Sequence, residues 1–221
     1  FYKSDDSTYK LGETLVQKDL AWSLKQIQKN GSKAFYKGEI ARKIVDAMES
    51  NDGIITLDDM ANYKPKIRQV VKGTYRGHEV VTMPLPSSGG IHVIQMLNIL
   101  EQFSISELGV NTADTIHLMT ESMKYAYADR SKHLGDSDFY DAPTSWLISK
   151  DYAKSIADKI SLEKVTSSDK IAPGVEPVKE SPETTHISVV DQWGNAVSNT
   201  YTLNYSFGSG LMAEGTGILL N

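Results

Sequence analysis

Thr184-Thr185-His186-Ile187-Ser188-Val189-Val190-Asp191-Gln192-Trp193-Gly194-Asn195-Ala196-Val197-Ser198-Asn199-Thr200-Tyr201-Thr202-Leu203-Asn204 reads as two strands around a turn. The arms, 184–190 and 196–205, are rich in β-branched residues, and the turn signal falls between them. A three-residue loop of Gln192, Trp193 and Gly194 puts glycine where a left-handed backbone is wanted. Asp191 then pairs with Asn195, Val190 with Ala196 and, carried outward in register, Thr184 with Thr202. Side chains directly opposed in such a ladder stand about 4.5–5.5 Å apart at Cβ. Because side chains alternate faces, Thr184, His186 and Ser188 share one face with Ser198, Thr200, Thr202 and Asn204. The other face carries Thr185, Ile187, Val189, Val197, Tyr201 and Leu203 and is expected to pack against helices.

The polar face suggests chemistry. A threonine hydroxyl is a poor nucleophile until a base takes its proton, and an N-terminal threonine has its own α-amine for that purpose. The unperturbed pKa of that amine is about 7.7–8, close to working pH. A cut just before Thr184 would create this arrangement on the first residue of the strand. On residue types alone a merely solvated sheet face is the better fit, and threonine is common in strands for conformational reasons.

Upstream of this pair, the stretch from Ser167 to Ser181 holds Pro173, Gly174, Pro177 and several charges with no apolar period, as in an exposed connector. Before it the pattern is helical. Leu20, Leu24 and Ile27 predict a helix over 18–30 with Gly31 as its stop, and Ile40, Ile44, Ala47 and Met48 predict another. Thr56 with Asp59 has the spacing of a capping box. Val70-Val71 and Val80-Val81 around Gly73-Thr74-Tyr75-Arg76-Gly77 predict a hairpin. Further helices are expected from Gly89-Gly90 onward on Val93, Ile94, Leu97 and Leu100, over about 112–130 on Ile116, Met119, Met123 and Tyr127, and over about 150–160. No internal repeat is present.

Composition narrows the partners. The 221 residues are 40% hydrophobic and carry a net charge of -5, with 23 Lys+Arg scattered among 28 Asp+Glu, so there is no basic stripe for nucleic acid or an anionic membrane. No apolar run approaches the roughly 18 residues of a membrane span. Phe1-Tyr2-Lys3-Ser4-Asp5-Asp6 lacks a signal-peptide pattern, as expected of a chain that starts mid-protein or has lost a leader. With zero cysteines, disulfides, thiolate metal sites and a cysteine nucleophile are excluded, while either redox compartment is compatible.

The segment 184–204, read with Pro86-Ser87-Ser88-Gly89-Gly90-Ile91-His92, Tyr127-Ala128-Asp129-Arg130, Gly135-Asp136-Ser137-Asp138-Phe139, Phe207-Gly208-Ser209-Gly210 and Gly217-Ile218-Leu219-Leu220-Asn221, resembles gamma-glutamyltranspeptidases over nearly the whole chain. The resemblance implies an α+β chain with the N-terminal nucleophile hydrolase fold, an αββα four-layer sandwich that this fragment leaves incomplete. It implies that 1–183 is the end of a large subunit, with the connector near 167–181, and that 184–221 opens a small subunit after self-cleavage between Glu183 and Thr184. By position, Thr184 matches the nucleophile, Thr202 the threonine whose hydroxyl orients it and contacts substrate, and Asn204 a residue binding the α-amino end of the glutamyl group. The family's substrate-carboxylate arginine is expected upstream of Phe1, and its acidic pair, serine pair and oxyanion-hole glycines beyond Asn221.

The activity implied is gamma-glutamyl transfer and hydrolysis on glutathione and similar amides. An amino acid, a dipeptide or water serves as acceptor, with no metal and no organic cofactor, in a periplasmic or extracellular setting. The alternatives are a cephalosporin acylase, a poly-gamma-glutamate depolymerase, or a folded fragment without turnover. Other motifs read as structural. Ser87-Ser88-Gly89-Gly90 before a helix is a weak anion cradle, and Asp136, Asp138 and Asp141 lack the glycine and distal glutamate of a calcium loop. His78, His92, His117 and His133 show no metal spacing, whereas His186 draws attention by sharing the face of Thr184.

Overall fold

The computed structural model describes residues 2–3, 5–171 and 185–221. The Glu183-Thr184 junction and the connector from 172 onward lie outside the described residues. In chain order the elements are α1 (Lys18–Asn30), α2 (Ser32–Tyr36), α3 (Glu39–Ser50), α4 (Leu57–Asn62), β1 (Val71–Tyr75), β2 (His78–Thr82), α5 (Gly89–Leu100), α6 (Ile105–Leu108), α7 (Ala113–His133), α8 (Thr144–Leu147), α9 (Lys150–Ala157), α10 (Ser168–Ile171), β3 (Thr185–Val190), β4 (Ala196–Tyr201), β5 (Met212–Ala213) and β6 (Ile218–Leu219). The described strands pair antiparallel two by two, β1 with β2, β3 with β4 and β5 with β6.

Two compact units result, one from Phe1–Pro65 with Lys179–Asn221 and one from Lys66–Val178. In the first, α3 is the centre because its apolar residues recur every three or four positions. Ile40, Ala41, Ile44, Val45 and Met48 are buried together with Ala34, Met60, Ala213 and Leu220. The predicted capping box starts α4: Thr56 Oγ1 accepts from the Asp59 N–H, and the Asp59 carboxylate accepts from the Thr56 N–H at 2.8 Å.

In the second unit α5 packs against β1, α7 and α9. Ile99, Leu100, Leu118, Ala153, Ile156, Ala157 and Ile160 are buried in one cluster, and Leu85, Ile91 and Leu147 in another. The β1–β2 hairpin is longer than read from sequence: Gly73-Thr74-Tyr75 belongs to β1, and Arg76-Gly77 alone makes the turn. Gly90 has a packing role, since a Cβ there would lie 2.0 Å from the Met83 carbonyl oxygen. That close approach favours the structural reading of Ser87-Ser88-Gly89-Gly90.

α7 corrects the choice of face. Ile116, Met119, Met123 and Tyr127, the residues whose spacing predicted the helix, are exposed, and the buried face runs through Leu118, Glu121, Ser122 and Ala126. Buried Glu121 is tolerated because Lys124 Nζ donates to it at 2.6 Å and the Thr166 N–H points to both its oxygens, while Lys124 also donates to the Thr166 carbonyl at 3.0 Å. Burial alone would raise the Glu121 pKa, but these hydrogen bonds outweigh it and hold the carboxyl below its ordinary value. Farther along α7, Asp129 accepts from Tyr152 and from the Gln95 amide, and there burial prevails and raises the pKa. Within the stretch read as an aperiodic connector, Ser168–Ile171 forms a helical turn, with Ser167 before it and Asp169 in its first turn, residue types that favour a helix start.

Candidate active site

The β3–β4 hairpin has the register expected from its turn. Val190 opposes Ala196, Ser188 opposes Ser198, His186 opposes Thr200 and Thr185 opposes Tyr201. Asp191 closes the loop: one carboxylate oxygen accepts from the Trp193 and Asn195 N–H groups, both at 2.9 Å, and the other accepts from the Asn195 side-chain amide at 2.8 Å. The Asn195 side chain first, then backbone N–H groups, hold this carboxyl below its ordinary pKa. Gly194, at φ +83°, takes the left-handed position.

The polar face is knit by His186. Its Nδ1 lies 2.8 Å from Thr200 Oγ1, and its Nε2 lies 3.1 Å from the hydroxyls of both Ser188 and Ser198. The imidazole therefore bridges the two strands one residue pair inward from Thr185 and Tyr201. Hydroxyls both donate and accept, so they satisfy either ring tautomer. Sequence spacing put these four residues on one face but did not reveal that histidine joins them.

Thr202 and Asn204 are brought together just past the strand. β4 ends at Tyr201 rather than running to Tyr205, and Asn204 stands at φ 70°, a left-handed conformation that asparagine tolerates better than most residues. The Asn204 N–H donates to Thr202 Oγ1 at 2.9 Å, an arrangement in which the hydroxyl closes a local turn. Thr184 and Glu183 lie outside the described residues.

The opposite face departs from expectation. Ile187, Val189, Val197 and Tyr201 are each more than half exposed, so the described residues supply no helices to cover them. Alternation correctly sorted polar from apolar side chains, but a partner for the apolar side is a tertiary matter. Among the described residues no group of three or more His, Cys, Asp or Glu could hold a metal ion. Nor is any described helix long and apolar enough to cross a membrane.

The gamma-glutamyltranspeptidase family model aligns with residues 1–221. The chain is 52% identical over 221 residues to the glutathione hydrolase proenzyme of Escherichia coli (strain K12), covering 100% of this chain and 38% of that protein. It thus spans well under half the length of that curated relative. The crystal structure of Helicobacter pylori gamma-glutamyltranspeptidase superposes with a TM-score of 0.74 at 45% identity over 83% of this chain and 52% of that one. The cephalosporin acylase from Bacillus halodurans superposes with a TM-score of 0.82 at 26% identity over 98% of this chain and 38% of that one. These likenesses carry the α+β N-terminal nucleophile hydrolase fold, present here in part. By its fold and by a family match from the first residue to the last, the chain belongs to the gamma-glutamyltranspeptidase family.

Proposed function

We propose that this chain is the junction region of an autocatalytically cleaved gamma-glutamyl transferase and hydrolase. Residues 1–183 close the large subunit, and 184–221 open the small one. The observation that carries this reading is the β3–β4 register within a family match covering residues 1–221. Continued one step past Thr185 opposite Tyr201, that register would oppose Thr184 to Thr202, the two threonines that the chemistry requires.

The Thr184 hydroxyl attacks the Glu183 carbonyl carbon. A C–O bond forms, the C–N bond breaks, and the hydroxyl proton goes to the departing amine. Water hydrolyses the resulting ester, leaving the Glu183 carboxylate and a free Thr184 amine. In turnover that amine takes the hydroxyl proton as the oxygen attacks a gamma-glutamyl amide such as glutathione, and the proton passes to the leaving amine. Water or the amine of an amino acid or dipeptide then resolves the threonyl ester. The Thr202 hydroxyl orients the nucleophile and contacts substrate. Its hydrogen bond from the Asn204 N–H supports that role by fixing the oxygen, and Asn204 receives the α-amino end of the glutamyl group. The hydroxyl, the amine and water carry every proton, so the scheme requires no metal or organic cofactor. A periplasmic or extracellular site of action accompanies this reading.

Edman sequencing of the mature small subunit tests the cut. Threonine followed by threonine is expected, and Thr184→Ala should leave the full-length protein uncut and inactive, with Thr184→Ser retaining part of both functions. A different first residue, or a Thr184→Ala protein that still matures, would refute the assignment. A second reading, a related acylase, is favoured by the superposition on the cephalosporin acylase. Rates of the full-length protein on glutathione, a glutaryl-cephalosporin and poly-gamma-glutamate separate the two, with glutathione expected to lead.

A further inference from the structure

We infer that residues 209–221 form a lock that holds the two products of the proposed Glu183-Thr184 cut together, with α1 and α3 as its seat. The inference rests on that cut, because only the cut turns an internal contact into one between chains. The plug is self-contained. The Ser209 N–H donates to the Leu220 carbonyl at 2.9 Å, and the Leu220 N–H returns to the Leu211 carbonyl at 2.9 Å. Thr216 Oγ1 donates to the Ala213 carbonyl at 2.6 Å and accepts from the Ile218 N–H at 3.0 Å.

What the plug buries belongs to the upstream chain. Ala213 and Leu220 lie in one cluster with Ile40, Ala41, Ile44, Val45 and Met48, and Leu211 and Ile218 pack against it. Ser23, on α1, buries its hydroxyl to donate to the Thr216 carbonyl at 2.7 Å. Gly217 stands at φ +68°, and a Cβ there would lie 2.5 Å from the Leu20 backbone nitrogen. Backbone meets backbone at that point, so no side-chain movement relieves a substitution. The hairpin that carries the polar face has no buried residue at all over 185–201. The contact exists before the cut, so the products need never find each other.

The test uses the full-length protein and reads cutting and retention separately. Denaturing gels report the cut, and size exclusion across a urea series reports whether the two chains elute together. Ser23→Ala should be cut like the wild type yet separate at lower urea, with a dissociation constant raised about 5- to 30-fold by the loss of one buried hydrogen bond. Gly217→Ala should be cut and lose co-elution at micromolar protein, while Trp193→Ala, in the exposed turn, should keep the wild-type urea profile.

A Ser23→Ala protein that is cut and retains the wild-type urea profile would overturn the lock, whatever Gly217→Ala does to folding. To keep this result apart from the fate of the proposed cut, the same variants are made in Thr184→Ala protein with a site-specific protease sequence inserted after Ser181. There the protease supplies the break, and the urea profiles are expected to fall in the same order; equal profiles would again overturn it.

Discussion

The two hairpins downstream of Thr184 are built in opposite ways. β3–β4 is ordered by its own turn and by the bridging imidazole of His186, and all its residues are exposed. β5–β6 has only two residues per strand, yet it surrounds the fully buried Ala213 and Thr216. The longer ladder depends on local hydrogen bonds, the shorter one on tertiary burial. The contrast teaches that, within these 221 residues, regular strand pairing and a place in the core are separable properties.

The contrast can be broken at either hairpin, and stability is best read in uncut full-length Thr184→Ala protein by urea denaturation. The largest effect is expected where β5–β6 is seated. Ile44→Ala removes a buried side chain beneath it and should cost about 2–5 kcal/mol. A cost below about 1 kcal/mol would show that the seat is loose. On the other hairpin, Thr202→Ala in otherwise wild-type protein should slow both self-cleavage and turnover about 100-fold through misplacement of the nucleophile, with Thr202→Ser milder. Unchanged rates would sever the chemistry from the β3–β4 register.

Smaller effects sharpen the comparison. Asp191→Ala removes the acceptor for three turn hydrogen bonds, and the loss should be local, seen as faster amide exchange at Val190 and Ala196 with little change in the global midpoint. Val189→Thr should change stability by no more than about 0.5 kcal/mol if the apolar face of β3–β4 is open in the whole protein. A loss above about 1.5 kcal/mol would show that other parts of the protein cover it, confining the contrast to this chain.

The two acids of α7 ask the same question of burial through pH. Glu121, with its pKa lowered, adds stability above its unfolded pKa and loses it as pH falls through the folded value. Asp129, with its pKa raised, contributes most below its unfolded pKa and loses that contribution as pH rises through the folded value. As pH rises to about 5 from the acid side, Glu121→Gln should therefore lose ground to the wild type, and as pH rises above about 4, Asp129→Asn should gain on it, read as urea midpoints. Slopes of the same sign would show that hydrogen-bond partners do not decide these pKa directions.

Local signals were the legible part of the fold. Apolar spacing and a glycine stop are enough for α1, which runs over the expected Lys18–Asn30, and one turn sequence is enough for the β3–β4 register because pairing propagates from it. Periodicity does not say which of two usable faces will find a partner. That is why α7 buries Leu118 and Ala126 while Met119 and Met123 stay out. The union of Gln95, Asp129 and Tyr152 from three helices has no signature along the chain. At the candidate site, spacing identified the polar-face residues His186, Ser188, Ser198 and Thr200. The imidazole bridge and the turn at Asn204 are absent from any pattern, since each depends on one side-chain rotamer or one backbone angle.

The two-stranded β3–β4 ladder also has a consequence for handling this polypeptide alone. Among the described residues neither strand pairs with a third, so each presents an unpaired row of N–H and C=O groups beside an exposed row of Ile187, Val189, Val197 and Tyr201. Such an edge templates further strands and is a recognised route to aggregation. Expressed by itself, the 221-residue chain is expected to recruit its own copies edge to edge, giving concentration-dependent thioflavin fluorescence, and a charged residue at Val189 should suppress it.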